Sequence, residues 1–238
     1  MSFKQKIKIF FNKVGDLVFP EDTSCIFCGR EIPSPCICDK CKENGSFNNS
    51  TTCIICDTPI KDGNIICDFC KSKPKSFNKC LCPFIYDGDV RKSILKFKSD
   101  GEKYLAKYFA KFMYEKLKEN KVEFDVIVPV PSHIKTIKKR GYNPAKVLSD
   151  EISKLCSIPV VEALYKTAQT TNQKYLNFEE RQNNLENSTT LLDKSAIKNK
   201  KVLLVDDIVT TCATVEHCSK LLKYAKEINV CAIARREI

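Results

Sequence analysis

The sequence predicts an α/β fold, a parallel sheet flanked by helices, with a small cysteine-rich double zinc ribbon ahead of it. Two observations predict this. From Phe84 onward, short apolar β-branched runs alternate with segments of helical periodicity, the order that builds a parallel sheet. Ahead of that, residues 21–75 carry four CxxC pairs and no sustained apolar period. Such a segment buries little core, so something other than hydrophobic burial holds it. A chain of 238 residues accommodates an N-terminal helix over 1–20, a cysteine module over 21–75 and an α/β domain over 76–238.

In the first twenty residues, Phe3, Ile7, Phe10, Val14 and Leu17 recur at helical spacing, which predicts one amphipathic helix. Packing on its own protein is favoured over lying on a membrane surface. Lysines run through the segment and no long apolar stretch with a small-residue cleavage site follows, so it does not read as a secretory signal. No stretch approaches the length that spans a bilayer. The cytoplasm is therefore the expected compartment, and an integral membrane protein is not expected.

Further along, KSKPKSFNK at 71–79 reads as a linker. Phe84 to Tyr86 forms a short strand ending at Asp87-Gly88, and Val90 to Phe97 a helical turn or two. Residues 102–119 place Leu105, Phe109, Phe112 or Met113, and Leu117 on one face, an amphipathic helix. Asp125 to Pro131 is an apolar run that reads as a buried parallel strand. A helix over 143–156 and a short strand from Ile158 to Val161 follow. Thr167 to Ser195 is polar and weakly periodic. Lys200 to Asp207 forms a second buried strand, Thr214 to Tyr224 a helix, and Asn229 to Arg235 a third strand. Hydrophobic residues make up 43% of the chain, which excludes global disorder.

Eleven of the fifteen cysteines fall between Cys25 and Cys82. In a chain expected in the cytoplasm this points to metal rather than disulfides. Cys25, Cys28, Cys38 and Cys41 form two CxxC knuckles, and Cys53, Cys56, Cys67 and Cys70 repeat the unit. A CxxC turn presents two thiolates to one ion, and a zinc ion takes four in a tetrahedron, so eight ligands imply two zinc ions. Gly29 stands where a tight turn around the metal needs a small residue. Sequential pairing of knuckles is the simple arrangement; a crossed one, first with third, is the alternative, and Cys36 competes with Cys38. Cys80 and Cys82 read as core or strand residues, with a spare metal ligand as the alternative. Catalytic zinc usually recruits histidine or carboxylate, and His133 and His217 are distant in sequence, so both sites read as structural.

The formal net charge is +11, from 40 basic and 29 acidic residues. Two zinc ions on eight thiolates lower that figure without reversing its sign. A basic protein attracts polyanions such as nucleic acid, without regard to sequence.

Most of the chemistry lies in Val202 to Thr214. A buried strand delivers Asp206 and Asp207 to its carboxyl end, where ligands bind in open α/β sheets. Thr210, Thr211 and Thr214 then lead into a helix N-terminus, whose free N–H groups and dipole favour a phosphate. Two carboxylates beside a phosphate cradle suit a sugar phosphate whose ring hydroxyls donate to them, often with Mg²⁺ present.

This segment resembles the phosphoribosyl pyrophosphate (PRPP) motif of type I phosphoribosyltransferases. Val128-Pro-Val-Pro-Ser-His, then Lys139-Arg-Gly-Tyr-Asn, and Gln173 with Arg181 and Asn184, resemble the ComF family in particular. The double CxxC module is that family's usual N-terminal extension, and the resemblance covers residues 20 to 236. It implies a type I phosphoribosyltransferase-like sheet and a role in natural competence, helping imported single-stranded DNA reach the cytosol, with competence proteins as partners. Position by position, it implies that Asp206 and Asp207 hold ribose hydroxyls and that Thr210, Thr211, Cys212, Ala213 and Thr214 hold the 5′-phosphate. Pro129, Val130 and Pro131 would face pyrophosphate, and Arg140, on a covering loop, would neutralise it. His133 is a further candidate phosphate contact; His217 reads as packed or exposed.

One departure stands out. The family loop normally reads Thr-Thr-Gly-Ala-Thr, and here Cys212 replaces the glycine. A Cβ in a left-handed backbone costs about 1–2 kcal/mol, so weakened phosphate binding is the expectation. Three functions are compatible with the whole: a ComF-like PRPP-binding protein that meets single-stranded DNA, an active transferase moving phosphoribosyl to a nucleobase-like acceptor, and a zinc-ribbon nucleic-acid module with an inactive α/β domain.

Overall fold

The computed structural model describes residues 24–32, 36–44, 46–49, 51–60, 63–166 and 189–236. The expected helix over 1–20, and Gln173, Arg181 and Asn184, lie outside the described residues. The chain forms two compact units, Met1–Gly45 and Ser46–Ile238.

In the smaller unit, Cys25 to Arg30 is a tight turn. The Gly29 N–H donates to the Cys25 carbonyl at 2.8 Å and the Cys25 N–H to the Arg30 carbonyl at 2.7 Å. Gly29 has φ +72, the left-handed torsion that a side chain disfavours, as the knuckle requires. A short helix, α1 (Asp39–Asn44), carries the second knuckle's Cys41.

The larger unit is built on a parallel sheet of β1 (Lys79–Leu81), β2 (Phe84–Ile85), β3 (Val126–Pro129), β6 (Lys201–Val209) and β7 (Glu227–Arg235). The order is β1-β7-β6-β3, with β2 also pairing β7 beyond the end of β1. Two further strands, β4 (Leu164–Lys166) and β5 (Thr189–Leu191), form an antiparallel pair apart from it. Val202 to Val205 and Val230 to Ala234 are all buried, as in strands covered on both faces.

The two faces have different covers. Val126, Val128, Val202, Leu204, Val230 and Ala232 share a core cluster with Val215, Cys218 and Leu222 and with Cys53, Cys56 and Cys70. Val215 and Cys218 belong to α7 (Ala213–Leu221). The alternate residues face the other way, where the Cys231 thiol meets the Met113 carbonyl at 3.9 Å. That side holds α4 (Leu105–Glu119), which buries Leu105, Phe109, Met113 and Leu117 at helical spacing, and α6 (Pro144–Cys156). Phe112 instead stacks at the helix edge against Phe47 and Phe84. The remaining helices are α2 (Asp68–Ser72), α3 (Gly88–Leu95) and α5 (Ile134–Arg140), and a π-helical turn over Lys96–Asp100 extends α3.

Two local expectations change. Ile158 to Val161 makes only a single parallel bridge, Val160 to Ile127, because Ser157 with φ 61 and Pro159 leave too little extended chain to pair. The stretch 71–79 is anchored rather than loose: Phe77 is buried, the Ser76 N–H and Oγ donate to the Glu216 carboxylate at 2.9 and 2.8 Å, and Lys79 begins β1.

Candidate metal centres and phosphate-binding site

The cysteines assemble in sequential fours. The sulfurs of Cys25, Cys28, Cys38 and Cys41 all lie within 4.8 Å of one another, as do those of Cys53, Cys56, Cys67 and Cys70. Cys36 stands outside both groups, and Cys80 and Cys82 are buried core residues. A tetrahedral zinc–thiolate site places sulfurs about 3.8 Å apart. The Cys28–Cys38 and Cys56–Cys67 sulfurs are each 3.7 Å apart. Both groups therefore fit a structural zinc ion, with no open position for a reacting water. Burial raises the Cys53 thiol, but backbone N–H donors of Cys67, Cys56 and Ile55 outweigh it and bring the thiol down to about 7, whereas burial pushes Cys70 of the same group up to about 12.

The second group is welded to the sheet. Asp57, next to Cys56, is buried and accepts from the Cys82 N–H at 2.7 Å and the Thr52 hydroxyl at 2.8 Å. Asn48 Nδ2 donates to the carbonyls of Asp57 and Cys82 at 2.9 and 3.2 Å. The desolvated Asp57 carboxyl is held above its ordinary range.

At the carboxyl end of the sheet, β3 and β6 run side by side, with Pro129 opposite Val205. The Val130 N–H donates to the Val205 carbonyl at 2.8 Å, so the Pro129–Pro131 turn lies beside Asp206 and Asp207. Asn143 locks that turn: its Nδ2 donates to the Val130 carbonyl at 3.0 Å, and its Oδ1 accepts from Ser132 Oγ at 2.9 Å while capping α6 through the Ala145 N–H. Beyond β6, Thr210, Thr211, Ala213 and Thr214 are exposed around the N-terminus of α7. A cavity of about 490 Å³ opens beside Thr211, Ala213 and Thr214, bounded also by Pro131, Lys166 and Lys75 but not by Asp206 or Asp207.

The two acids are inequivalent. Burial and the neighbouring Asp207 carboxylate push the Asp206 carboxyl up to about 7, against the pull of the Asp207 N–H, 2.8 Å from its Oδ1, and of Lys98 and Lys166. Asp207 accepts from Lys98 Nζ at 2.9 Å. Arg140 is the last residue of α5 rather than part of a loop. Burial holds the Tyr142 phenol above its ordinary value, with Arg140 pulling it down and Asp100 and Asp207 adding to the rise. His133 caps α5, its Nδ1 accepting from the Lys135 N–H at 3.1 Å. His217 lies in α7 and lines the cavity.

Cys212 adopts φ 61 and ψ 2, the left-handed conformation that a glycine would hold there. Its side chain is buried and turned inward, where the sulfur accepts from Arg235 Nη1 at 2.9 Å. The nearby Cys56 and Cys80, and then Arg235, hold the Cys212 thiol far below its ordinary value, although burial opposes them. Sequence reasoning missed Lys98, Asn143 as the organiser of the turn, and Arg235. Asn143 alone had a signal, as the Asn before the Pro of an expected helix start.

The sheet, the twin acids at its carboxyl edge and the hydroxyl-rich turn define a phosphoribosyltransferase-type domain. Residues 102–237 match the phosphoribosyl transferase domain family, and the chain belongs to it. The two four-cysteine groups ahead of that domain make it a ComF-type protein. It is 27% identical over 222 residues to competence protein F of Haemophilus influenzae, spanning 89% of this chain and 96% of that protein. Competence protein ComFC of Streptococcus pneumoniae is 24% identical over 233 residues, covering 89% and 99%. The DNA utilization protein YhgH of Escherichia coli is 25% identical over 192 residues, covering 78% and 83%. Among the described residues, no helix is long and apolar enough to cross a membrane.

Proposed function

We propose that this protein binds PRPP at the Asp206–Thr214 segment and serves natural competence in the cytoplasm, handling imported single-stranded DNA. The observation that carries the reading is the passage of β6, through Asp206 and Asp207, into an exposed turn at the N-terminus of α7. In this reading the two acids accept from ribose hydroxyls, and the N–H groups and hydroxyls of Thr210 to Thr214 hold the 5′-phosphate. The Pro129–Pro131 turn faces the pyrophosphate, whose charge Arg140 offsets, with Mg²⁺ accompanying the phosphates. The names of the relatives support the competence role, and the net charge of +11 supports contact with a polyanion. Two structural zinc ions hold the cysteine groups.

Calorimetry with PRPP and Mg²⁺ tests it, on wild type and on Asp206→Ala/Asp207→Ala, beside titration of single-stranded DNA at two salt concentrations. Binding of PRPP to wild type, lost in the double variant, and DNA affinity that falls with salt are the expected results. No PRPP binding to wild type would select a zinc-ribbon nucleic-acid protein with an inert α/β domain. The cavity beside the turn favours a second reading, an active transferase with room for an acceptor. Pyrophosphate release on adding nucleobases selects it.

A further inference from the structure

Lys98 comes to the acids from far away in sequence. Within the π-helical turn and its flanks, Leu95, Lys96, Ser99 and Asp100 are exposed, and only Phe97 and Lys98 turn inward. Phe97 is fully buried against Phe109 and Tyr142, with ring centroids 5.9 Å apart in each pair, so the turn is fixed in place. That anchor leaves Lys98 reaching Asp207 at 2.9 Å, with side chains only 22% and 14% exposed. A lysine gives up much hydration and rotamer freedom to sit there, unlike the exposed Lys–Asp pairs elsewhere on this surface. π-Helical turns also concentrate at functional sites.

A second observation points to the same place. Tyr142 is 7% exposed, and its buried hydroxyl has no hydrogen-bond partner among the described residues. It lies close enough to Asp207, Asp100 and Arg140 to sense all three charges. A buried phenol normally finds a partner, so an orphan beside paired acids leaves a position for a ligand's polar atom.

We propose that Lys98 is a positioning residue of the phosphoribosyl site, fixing the orientation of the Asp207 carboxylate through their direct contact so that a phosphorylated pentose can settle against two acids. This rests on the reading of Asp206 and Asp207 as the pentose grip. Without a local cation, a polyanionic ligand entering beside two carboxylates meets uncompensated repulsion in a poorly solvated corner. Lys166 bears on Asp206 and Arg140 on Tyr142, but Lys98 makes the direct contact with Asp207.

The test is calorimetry on the full chain with PRPP, ribose 5-phosphate and inorganic phosphate, for wild type, Lys98→Met and Lys98→Arg. Lys98→Met should weaken PRPP and ribose 5-phosphate alike, by about tenfold, the scale of one charge-assisted hydrogen bond. Inorganic phosphate, which meets only the turn, should bind Lys98→Met as it binds wild type, and Lys98→Arg should restore most of the loss. Ribose 5-phosphate binding unchanged or improved in Lys98→Met would make the lysine a plug over the acids and overturn the proposal. Loss of all three ligands without rescue by arginine would reduce Lys98 to a folding role, and overturns it too. If wild type binds neither sugar phosphate, the reading of the site fails and this role falls with it.

Discussion

Arg235 Nη1 donates to Cys212 Sγ across 2.9 Å, tying the end of β7 to the left-handed residue of the phosphate-site turn. Arg235 is 1% exposed, and its Nε has no partner among the described residues, so Cys212 is a principal compensation for a buried guanidinium. Two effects therefore oppose each other at Cys212. Glycine would relieve a positive-φ cost of about 1 kcal/mol, but removing the sulfur leaves a buried charge, at about 3 kcal/mol or more. The second wins. Cys212→Gly should lower stability in the wild-type chain and raise it in an Arg235→Met background, a reversal that urea unfolding of the four proteins reads directly. Additive effects would show that the pair does not interact.

Asp206 gives a pH dependence whose sign can be worked out. Its carboxyl ionises near 3.8 when unfolded and is pushed up to about 7 in the fold, by burial and by Asp207. Between those values the folded protein holds a proton that the unfolded chain releases, so stability from this group falls as pH rises from about 4 to 7 and is then level. Asp206→Asn keeps an oxygen for the Asp207 N–H and removes the penalty. Its melting temperature should exceed that of wild type at pH 8, by about 2–4 °C per kcal/mol recovered, and the gap should close toward pH 4. A gap that is constant with pH would show that Asp206 ionises normally.

Sequence legibility followed local determinism. β6 could be read because a continuous apolar run must be covered on both faces, and its two terminal acids mark the sheet's ligand edge. The metal groups could be read because CxxC spacing fixes two sulfurs within one turn, although the choice between sequential and crossed pairing needed coordinates. β1 could not: Lys79-Cys80-Leu81 is three residues long and is a strand only because β7 lies beside it. Lys98 is one lysine among several between 92 and 107, and nothing local says that Phe97 anchors its turn. Cys212 was visible as a departure, but Arg235, 23 residues away and the reason its thiol is tolerated, was not.

The cysteine groups predict different responses to metal loss. Cys53, Cys56 and Cys70 belong to the core cluster over one sheet face, whereas Cys25, Cys28, Cys38 and Cys41 belong to the smaller unit. Cys56→Ala should cost one zinc ion and lower the main unfolding transition by well over 10 °C, since a structural zinc contributes folding energy directly. Cys28→Ala, at an exposed ligand, should cost one zinc ion and leave that transition within a few degrees of wild type. Metal analysis by plasma mass spectrometry beside calorimetric scans checks both, and equal shifts would mean that the two groups support the sheet alike.

Asn143 allows the pyrophosphate side of the site to be tested apart from the pentose side. One side chain here performs three tasks: capping α6, holding the Val130 carbonyl and receiving the Ser132 hydroxyl. Asn143→Asp keeps both acceptor roles but cannot donate to Val130, so the helix survives while the turn loses its tether. Asn143→Ala loses the cap as well, at about 1 kcal/mol. The turn lies beside Asp206 and Asp207 without contributing to the phosphate turn at Thr210–Thr214. Asn143→Asp should therefore weaken PRPP several-fold more than ribose 5-phosphate, which lacks the pyrophosphate. Calorimetry with both ligands reads that difference. Equal weakening would place the Pro129–Pro131 turn against the pentose instead, and an unchanged affinity for both would remove the turn from the site.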